Sequence, residues 1–311
     1  MDQIKDSLQI DFVRKIAEGG MGSIYEGQQL GTDGFLKQMA VKMLNLDVSS
    51  DQEFVEMFIG EAKLVANLVH QNIVQIYHLG RFEGNLYIAM EYLNGINLQE
   101  FFDRHKRLGR RIPYDLVAFI ISRVCRALEY AHEKRDEVGR LLRVVHRDVS
   151  PKNVMCNFEG VVKLTDFGIA KAQTYMGNRE GDILLGKTQY MSPEQAAFQE
   201  TDGRSDLFSL GIVMFECLTG SALFADDDTI VVLDKVMNQE IPDIHTVYPD
   251  VPQKLIDILE KSLKRELGER YQAARDMGDD LEHFLYDDGY GPTNQTLEKY
   301  LKELFPERIS E

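Results

Sequence analysis

Cysteine is scarce in this sequence, which carries three in 311 residues. Cys125, Cys156 and Cys217 lie far apart and form no Cys-x-x-Cys pair, so we expect a reducing compartment and neither a disulfide framework nor a zinc site. Long apolar runs are also missing, and none approaches the ~20 residues of a membrane helix. The first 11 residues lack the apolar core of a signal peptide. These absences predict a cytoplasmic protein with no membrane segment in this chain.

Positive charge is in deficit. The chain has 35 Lys and Arg against 51 Asp and Glu, which gives a formal net charge of −16. This balance argues against a nucleic-acid partner and against adsorption to anionic membranes. A hydrophobic content of 44% with 28% charged residues is typical of a globular protein, and the length suffices for one large domain or two lobes.

The hydrophobic pattern changes along the chain. The alternation typical of strands dominates the first part, and helical periodicity dominates the remainder. The expected strands are residues 11–16, 23–28, 38–44, 73–79 and 86–92, and clear helices are expected at 114–132 and 206–218. Strands followed by helices predict an α+β protein in two lobes.

One helix is expected between the third and fourth strands. Ser50 and Glu53 have the spacing of a capping box at its start. Along this helix Glu61 falls on the same apolar face as Phe54 and Phe58. Because an unpaired carboxylate on a buried face is costly, Glu61 is expected to have a cationic partner.

Two short motifs carry the chemistry, HRDVSPKN at 146–153 and DFG at 166–168. Asp148 is a candidate base for a hydroxyl, and Asn153 and Asp166 offer oxygen ligands to a magnesium ion that neutralises nucleotide phosphates. Upstream, the glycine-rich segment IAEGGMGSI at 16–24 would let the backbone approach phosphates closely. Lys42 follows about 20 residues later in the segment MAVK, which strengthens the interpretation of the glycine-rich segment.

In this order and spacing the motifs resemble the eukaryotic-type (Hanks-type) protein serine/threonine kinase domain, over roughly residues 10–285. The segments EGGMGSIYEG, HRDVSPKNVM and SDLFSLG resemble its bacterial branch. The resemblance implies a two-lobed protein kinase fold with a cleft near residues 90–95. Its parts would be a small β-rich N-lobe with one key helix (1–92), a larger helical C-lobe (93–285), and a C-terminal extension with a short amphipathic helix (286–311).

The resemblance also implies ATP and Mg²⁺ as cofactors, with Mn²⁺ as a possible substitute. Asp148 would orient the acceptor hydroxyl and take its proton, Lys152 would steady the γ-phosphoryl group, and Asn153 and Asp166 would bind the metal. Lys42, paired with Glu61, would position ATP. The nucleotide-binding positions that the resemblance carries over are Ile16, Ala17, Gly19, Gly20, Gly22, Ile24, Ala40, Lys42, Met90, Glu91, Leu93 and Met155.

Three positions depart from the family pattern. Ala17 stands where the first glycine of the loop is usual, and Lys187 replaces a threonine three residues before Tyr190. Ser150 occupies the position at which serine/threonine kinases carry lysine, and the lysine is instead Lys152, four residues after Asp148. We expect serine/threonine specificity, with dual specificity left open.

Two alternative functions are less consistent with the sequence. A pseudokinase scaffold would lack at least one of Lys42, Asp148, Asn153 and Asp166, and all four are present. Kinases of small molecules lack the Ser192-Pro193-Glu194 segment, which closes the activation segment in protein kinases. Protein substrates are therefore expected, and so is autophosphorylation at Thr174 or Tyr175 through self-association.

Other residues are expected to have structural roles. Glu194 would form a buried ion pair with Arg270, Asp206 would hold the backbone of the catalytic loop, and His146 would be a packed histidine. The basic run at 104–111 is interpreted as a solvated loop rather than a docking site. The tail at 296–305 is interpreted as an amphipathic helix that packs on the large lobe or, alternatively, binds a partner.

Overall fold

The computed structural model describes residues 3–5, 9–19, 22–44, 52–167, 188–287 and 289–309. The chain forms two compact units that divide between Asn94 and Gly95. The first unit is built mainly of strands and the second mainly of helices. No described helix combines the length and apolar character needed to cross a membrane.

The described strands of the first unit form one antiparallel sheet in the order β1-β2-β3-β4-β6-β5. The strands are β1 (Gln3–Lys5), β2 (Gln9–Gly19), β3 (Gly22–Leu30), β4 (Leu36–Leu44), β5 (Ile76–Phe82) and β6 (Asn85–Glu91). Helix α1 (Gln52–Ala66) lies between β4 and β5 in the chain, and a 3-10 turn spans Thr32–Gly34.

Two features of this sheet differ from the sequence prediction. Strand β1 was not predicted, and β5 begins at Ile76 rather than at residue 73. The amide of Ile73 donates to the carbonyl of His70, so the chain is still turning there. Ile73 and Val74 are nevertheless buried. Because these two side chains are apolar, the sequence pattern placed the start of the strand at residue 73, a few residues too early.

The two faces of the sheet have separate cores. Ala40 and Met90 belong to a cluster that includes Val55, Phe58 and Ala62 of α1. The opposite face has its own cluster, made of Ile10, Met39, Val41, Met43, Tyr87 and Ala89. Successive strand residues point to opposite faces, so burial on both sides gives the near-continuous apolar run of β4 and β6.

The second unit combines a small antiparallel sheet with helices. Its strands are β7 (Gly95–Asn97), β8 (Val154–Asn157) and β9 (Val162–Leu164), in the order β7-β8-β9. Its described helices are α2 (Leu98–Leu108), α3 (Tyr114–His132), α4 (Pro193–Ala196), α5 (Gly203–Thr219), α6 (Thr229–Asn238), α7 (Ile244–Val247), α8 (Gln253–Ser262), α9 (Ala274–Tyr286) and α10 (Asn294–Leu304). Three 3-10 turns span Pro151–Asn153, Thr188–Tyr190 and Pro306–Arg308.

Helix α5 is buried on nearly every side, as its apolar sequence predicted. Asp202 caps its first turn by accepting a hydrogen bond from the amide of Arg204. Gly220 ends the helix in the left-handed conformation, with φ of 71°. Because α5 begins with a well-defined cap, the residues of its first turn have fixed positions.

Helix α10 packs against α2 within the second unit. Leu297 and Leu301 are fully buried, and the hydroxyl of Tyr300 lies 2.7 Å from Nε2 of His105. Nε of Arg104 donates to the carbonyl of Leu304 at 2.7 Å. The tail is thus bound by apolar burial and by polar contacts from one helix.

The solvated-loop interpretation of the basic run is wrong for its first half. Residues up to Leu108 are helical, with a capping box at Asn97 and a left-handed Gly109 that ends the helix. Arg104 and His105 contact the tail, and His105 is 3% exposed. A charge run usually indicates a solvated surface, but here two of its members bind a segment about 200 residues away in the sequence.

Replacing Leu301 with alanine should destabilise the protein by about 2–5 kcal/mol, because the truncation leaves a cavity at a fully buried site. The matched control is Lys302→Ala, which removes only an exposed pair with Glu298 and should cost about 0.5 kcal/mol or less. Urea unfolding measures both variants. Equal unfolding midpoints for the two variants would contradict the packing of α10.

Candidate active site

Several of the residues expected to face the nucleotide lie on one face of the sheet of the first unit. Ile24 pairs with Lys42 across β3 and β4, and Ala40 pairs with Met90 across β4 and β6. Directly opposite residues of an antiparallel pair project to the same face. Ile24, Ala40, Met90 and Leu93 meet in a single apolar cluster, and Lys42 is 8% exposed beside them.

The remaining residues predicted for this site are more dispersed. Ile16 is 45% exposed on β2, and Ala17 pairs with Ile24 on β3. Gly19 pairs with Gly22, where β2 turns into β3. A Cβ at Gly22, whose φ is 154°, would collide with the carbonyl of Met43, so only glycine fits there.

Four further positions complete the set. The amide of Glu91 donates to the carbonyl of Gln75, which fixes the end of β6. Met155 belongs to the second unit, on β8. Glu61 lies on α1, but its side chain is outside the described residues, and so is Gly20. The expected pair between Lys42 and Glu61 stays a prediction.

The catalytic-loop segment of the second unit is held by Asp206, in the first turn of α5. Its carboxylate accepts hydrogen bonds from the backbone amides of His146 and Arg147, both at 2.8 Å, and from Nε2 of His132 at 2.7 Å. Burial would raise the pKa of Asp206, but the hydrogen bonds from His132 and the backbone lower it below its ordinary value. Asp206 therefore stays charged and holds the loop, as the sequence predicted.

His146 connects two parts of this loop region. Its Nδ1 accepts from the amide of Asp148 at 3.2 Å, and its Nε2 donates to the carbonyl of Thr165 at 2.9 Å. The imidazole ring also packs edge-on against Phe167, with 4.5 Å between ring centroids. Both ring nitrogens are engaged, so His146 is the packed structural histidine that the sequence predicted.

Asp148 and Asn153 are joined directly. The side-chain amide of Asn153 donates to the carbonyl of Asp148 at 2.7 Å and to its Oδ2 at 2.9 Å. Lys152 lies between them in the 3-10 turn and is exposed. Arg147, just before Asp148, has a φ of 63°, a conformation that costs energy in a non-glycine residue. The side chain of Asp148 is thus oriented by its neighbours in a strained loop.

Asn153 and Asp166 lie at the same end of the β8–β9 pair. Val154 pairs with Leu164, and the amide of Thr165 donates to the carbonyl of Asn153 at 2.9 Å. Because Nδ2 of Asn153 is held by Asp148, its Oδ1 is the atom available to a cation. An amide oxygen and a carboxylate are ligands that Mg²⁺ prefers, so the two residues fit a magnesium ion.

A second buried carboxylate, Glu194, is 5% exposed in the same unit. Glu194 of α4 receives hydrogen bonds from Arg270 at 2.9 and 3.2 Å and from the hydroxyl of Ser205 at 2.5 Å. Arg270 is fully enclosed and also donates to the carbonyls of Lys264 and Arg204. The predicted ion pair between Glu194 and Arg270 is present.

With this geometry in place, comparison with known proteins identifies the family. A model of the protein kinase domain matches residues 10–280. The chain belongs to the protein kinase family. The tyrosine-protein kinase MasK of Myxococcus xanthus (strain DK1622) is 39% identical over 298 residues, which are 95% of this chain and 46% of MasK. The serine/threonine-protein kinase PrkC of Bacillus subtilis (strain 168) is 34% identical, over 86% of this chain and 39% of PrkC.

The kinase chain therefore spans less than half of the length of these two relatives. Among solved structures, the kinase domain of Mycobacterium tuberculosis PknI matches with a TM-score of 0.66 and 26% identity, covering 88% of this chain and 95% of that one. These similarities confirm the expected α+β protein kinase fold and its relation to the bacterial branch.

Sequence reasoning missed one link between the kinase motifs. Nε2 of Gln195 donates to the carbonyl of Arg147 at 2.9 Å, which ties helix α4 to the catalytic-loop segment. Nε of Arg147 also donates to the hydroxyl of Thr201 at 3.2 Å. The spacing of Ser192 and Gln195 in the sequence indicates a capping box at the start of α4. It does not indicate that Gln195 also contacts Arg147, which is 48 residues away in the chain.

Glu194→Gln should lower the stability of the kinase by about 3–5 kcal/mol near neutral pH, because it leaves Arg270 buried without its counter-charge. Burial would raise the pKa of Glu194, but the bonds from Arg270 and Ser205 lower it below the ordinary value. The stabilisation is therefore present above the ordinary carboxyl pKa and lost as the pH falls through the lowered pKa.

Urea unfolding of wild type and Glu194→Gln across this pH range measures the effect. The difference in unfolding free energy should shrink on acidification, since a protonated Glu194 resembles glutamine. Glu298→Gln, which alters an exposed pair with Lys302, is the matched control and should change little. A difference that is independent of pH would show that Glu194 does not act through its charge.

Proposed function

We propose that this kinase domain transfers the γ-phosphoryl group of ATP to hydroxyl groups of protein substrates. The observation that carries the proposal is the set of Asp148, Asn153 and Asp166, which the fold brings to one end of the β8–β9 pair. A base, an amide and a second carboxylate in this order are the parts that phosphoryl transfer needs.

Asp148 is proposed as the catalytic base. Nδ2 of Asn153 holds its Oδ2 and its carbonyl, which limits the directions in which the carboxylate can point. The acceptor hydroxyl would bind at Asp148 and give up its proton there as its oxygen attacks the γ-phosphorus. The bond from that phosphorus to the β–γ bridging oxygen would break, and ADP would leave. Lys152, exposed in the adjacent 3-10 turn, would steady the γ-phosphoryl group.

Asn153 and Asp166 are proposed as the metal ligands. Mg²⁺ or Mn²⁺, when bound, neutralises charge on the nucleotide phosphates. Asp166 has a φ of 60°, a left-handed conformation that aspartate tolerates better than most residues. The hydrogen bond from Thr165 to Asn153 keeps the two ligand-bearing segments adjacent.

The first unit is proposed to bind the nucleotide. Lys42, with Glu61 as its expected partner, would contact the α- and β-phosphates, and the glycine segment would cover them with backbone amides. The backbone of Glu91 and Leu93 would hydrogen-bond the adenine ring. The apolar contacts of the ring would come from Ile16, Ile24, Ala40, Met90 and Met155.

Serine and threonine are proposed as the main acceptors, with tyrosine as a second class. PrkC is named a serine/threonine kinase, whereas MasK is named a tyrosine kinase at higher identity. The lysine position after Asp148 also departs from the serine/threonine pattern, since Ser150 precedes Lys152. Autophosphorylation through self-association and a cytoplasmic location remain parts of this proposal.

Asp148→Asn should reduce phosphoryl transfer about 10²–10⁴-fold, the usual contribution of a general base. The experiment incubates the chain with labelled ATP and Mg²⁺, alone and with a generic basic protein, and identifies the acceptor residues by mass spectrometry. Label on serine or threonine, lost in the variant and lost when the metal is chelated, is the expected result.

The matched control is Asp250→Asn, an aspartate that is 81% exposed in the same unit and should keep wild-type transfer. ADP binding by Asp148→Asn shows that the variant is folded. A wild-type chain that binds ADP and transfers nothing would contradict the proposed activity and favour a scaffold.

A further inference from the structure

A polar network of four side chains lies on the β-sheet of the first unit. Nε of Arg14 donates to Oε2 of Glu26 at 2.7 Å, and the side-chain amide of Gln38 donates to Oε1 of Glu26 at 2.7 Å. Nη2 of Arg14 also donates to the hydroxyl of Tyr92 at 3.2 Å. Residues from β2, β3 and β4 are thereby joined to the segment that follows β6.

The sheet register places Glu26 on the proposed nucleotide face. Glu26 pairs with Ala40 across β3 and β4, and Ala40 pairs with Met90 across β4 and β6. Ile24, two residues before Glu26 on β3, shares this face as well. The carboxylate of Glu26 is therefore a neighbour of the residues proposed to contact adenine, and it is 7% exposed.

A carboxylate at this depth requires donors. Burial would raise the pKa of Glu26, but the hydrogen bonds from Gln38 and Arg14 lower it below its ordinary value. Arg14 is itself more than half exposed, so its guanidinium reaches Glu26 from the solvent side. The charged pair is thus stable where it lies, and it provides a fixed support for Tyr92.

Gln75 holds Glu91, the last residue of β6, immediately before Tyr92. The amide of Glu91 donates to the carbonyl of Gln75 at 2.9 Å, and the amide of Gln75 donates to the carboxylate of Glu91 at 3.2 Å. Tyr92 also packs against the apolar cluster that contains Ala40 and Met90. Glu91 is therefore held by Gln75, and Tyr92 is held by Arg14 and by apolar packing. Leu93 packs against the same apolar cluster and follows directly in the chain.

We infer that Arg14, Glu26 and Tyr92 are positioning residues for nucleotide binding. They fix the backbone of residues 91–93 before the nucleotide binds. The hydrogen-bonding groups of this backbone therefore need no ordering when adenine binds. The inference rests on the proposed function, in which Glu91 and Leu93 present those groups. The forked guanidinium of Arg14 is essential, because a single ammonium group cannot match its bonds to Glu26 and Tyr92.

The test measures the affinity of the full chain for ADP with Mg²⁺ by calorimetry. Tyr92→Phe removes only the hydroxyl, and Arg14→Lys keeps the charge but loses the fork. Each variant should bind ADP about 3–10-fold more weakly than wild type. The double variant should bind about as weakly as the single ones, because both changes break the same link.

A kinetic readout and a matched control variant separate positioning from general stability. KM for ATP should rise in both variants while kcat is unchanged, the pattern of lost ground-state binding. Tyr25→Phe is the matched control, because Tyr25 lies on the opposite face of β3 with its ring against Phe12. The affinity of this variant for ADP should equal that of wild type.

The outcomes distinguish this inference from the proposed function. Wild type that binds no ADP contradicts nucleotide binding itself. Wild type that binds ADP while Tyr92→Phe and Arg14→Lys bind it equally well overturns the inference alone. Lower thermal midpoints with unchanged ADP affinity would also overturn it, because they would indicate a purely structural network.

Discussion

The buried carboxylate of Asp206 is the constraint on which the arrangement of the second unit depends. It accepts two consecutive backbone amides of the catalytic-loop segment and a ring nitrogen of His132. A buried charge is costly unless it is fully hydrogen-bonded, so these donors must stay in place for the charge to remain buried. The first turn of α5 adds a favourable helix dipole. The position of α5 thereby sets the position of the residues before Asp148.

Other contacts extend this constraint to helix α4. Gln195 of α4 binds the carbonyl of Arg147, and the neighbouring Glu194 is fixed by Arg270 and by Ser205 of α5. The catalytic-loop segment is thus held through its amides by Asp206 and through a carbonyl by α4. Asp206 is itself a buried, hydrogen-bonded carboxylate, and α4 is fixed by a second one, Glu194. Electrostatic interactions as well as packing therefore make the catalytic-loop segment rigid.

The sequence predicted the fold class, the two long helices α3 and α5, the role of Asp206 in holding the catalytic loop and the pair of Glu194 with Arg270. These features depend on local periodicity or on motifs whose members keep fixed spacings. It did not predict the bond from Arg104 to the tail, the contact of Gln195 with Arg147, or the link from Arg14 to Tyr92. Each joins polar side chains to groups 48 to 200 residues away, and no periodicity reports such pairings.

The basic run at 104–111 also shows that sequence composition does not predict tertiary contacts. Its composition was typical of a solvated loop, yet α2 continues through its first half and His105 is buried against Tyr300. Burial of a charged or titratable residue depends on what the remainder of the chain brings to it. Composition describes the residue, and only the tertiary structure describes its surroundings.

The most direct measurement of this account is phosphoryl transfer and ADP binding by Asp206→Asn. Asparagine has the same shape, but its amide nitrogen cannot accept a hydrogen bond from the backbone of His146 or Arg147. If Asp206 fixes the catalytic-loop segment, transfer should fall by about 100-fold or more, since small misplacements of catalytic groups have effects of this size. ADP binding should persist, because the residues proposed to bind it in the first unit are unchanged. A variant that transfers phosphate at the wild-type rate would contradict the account.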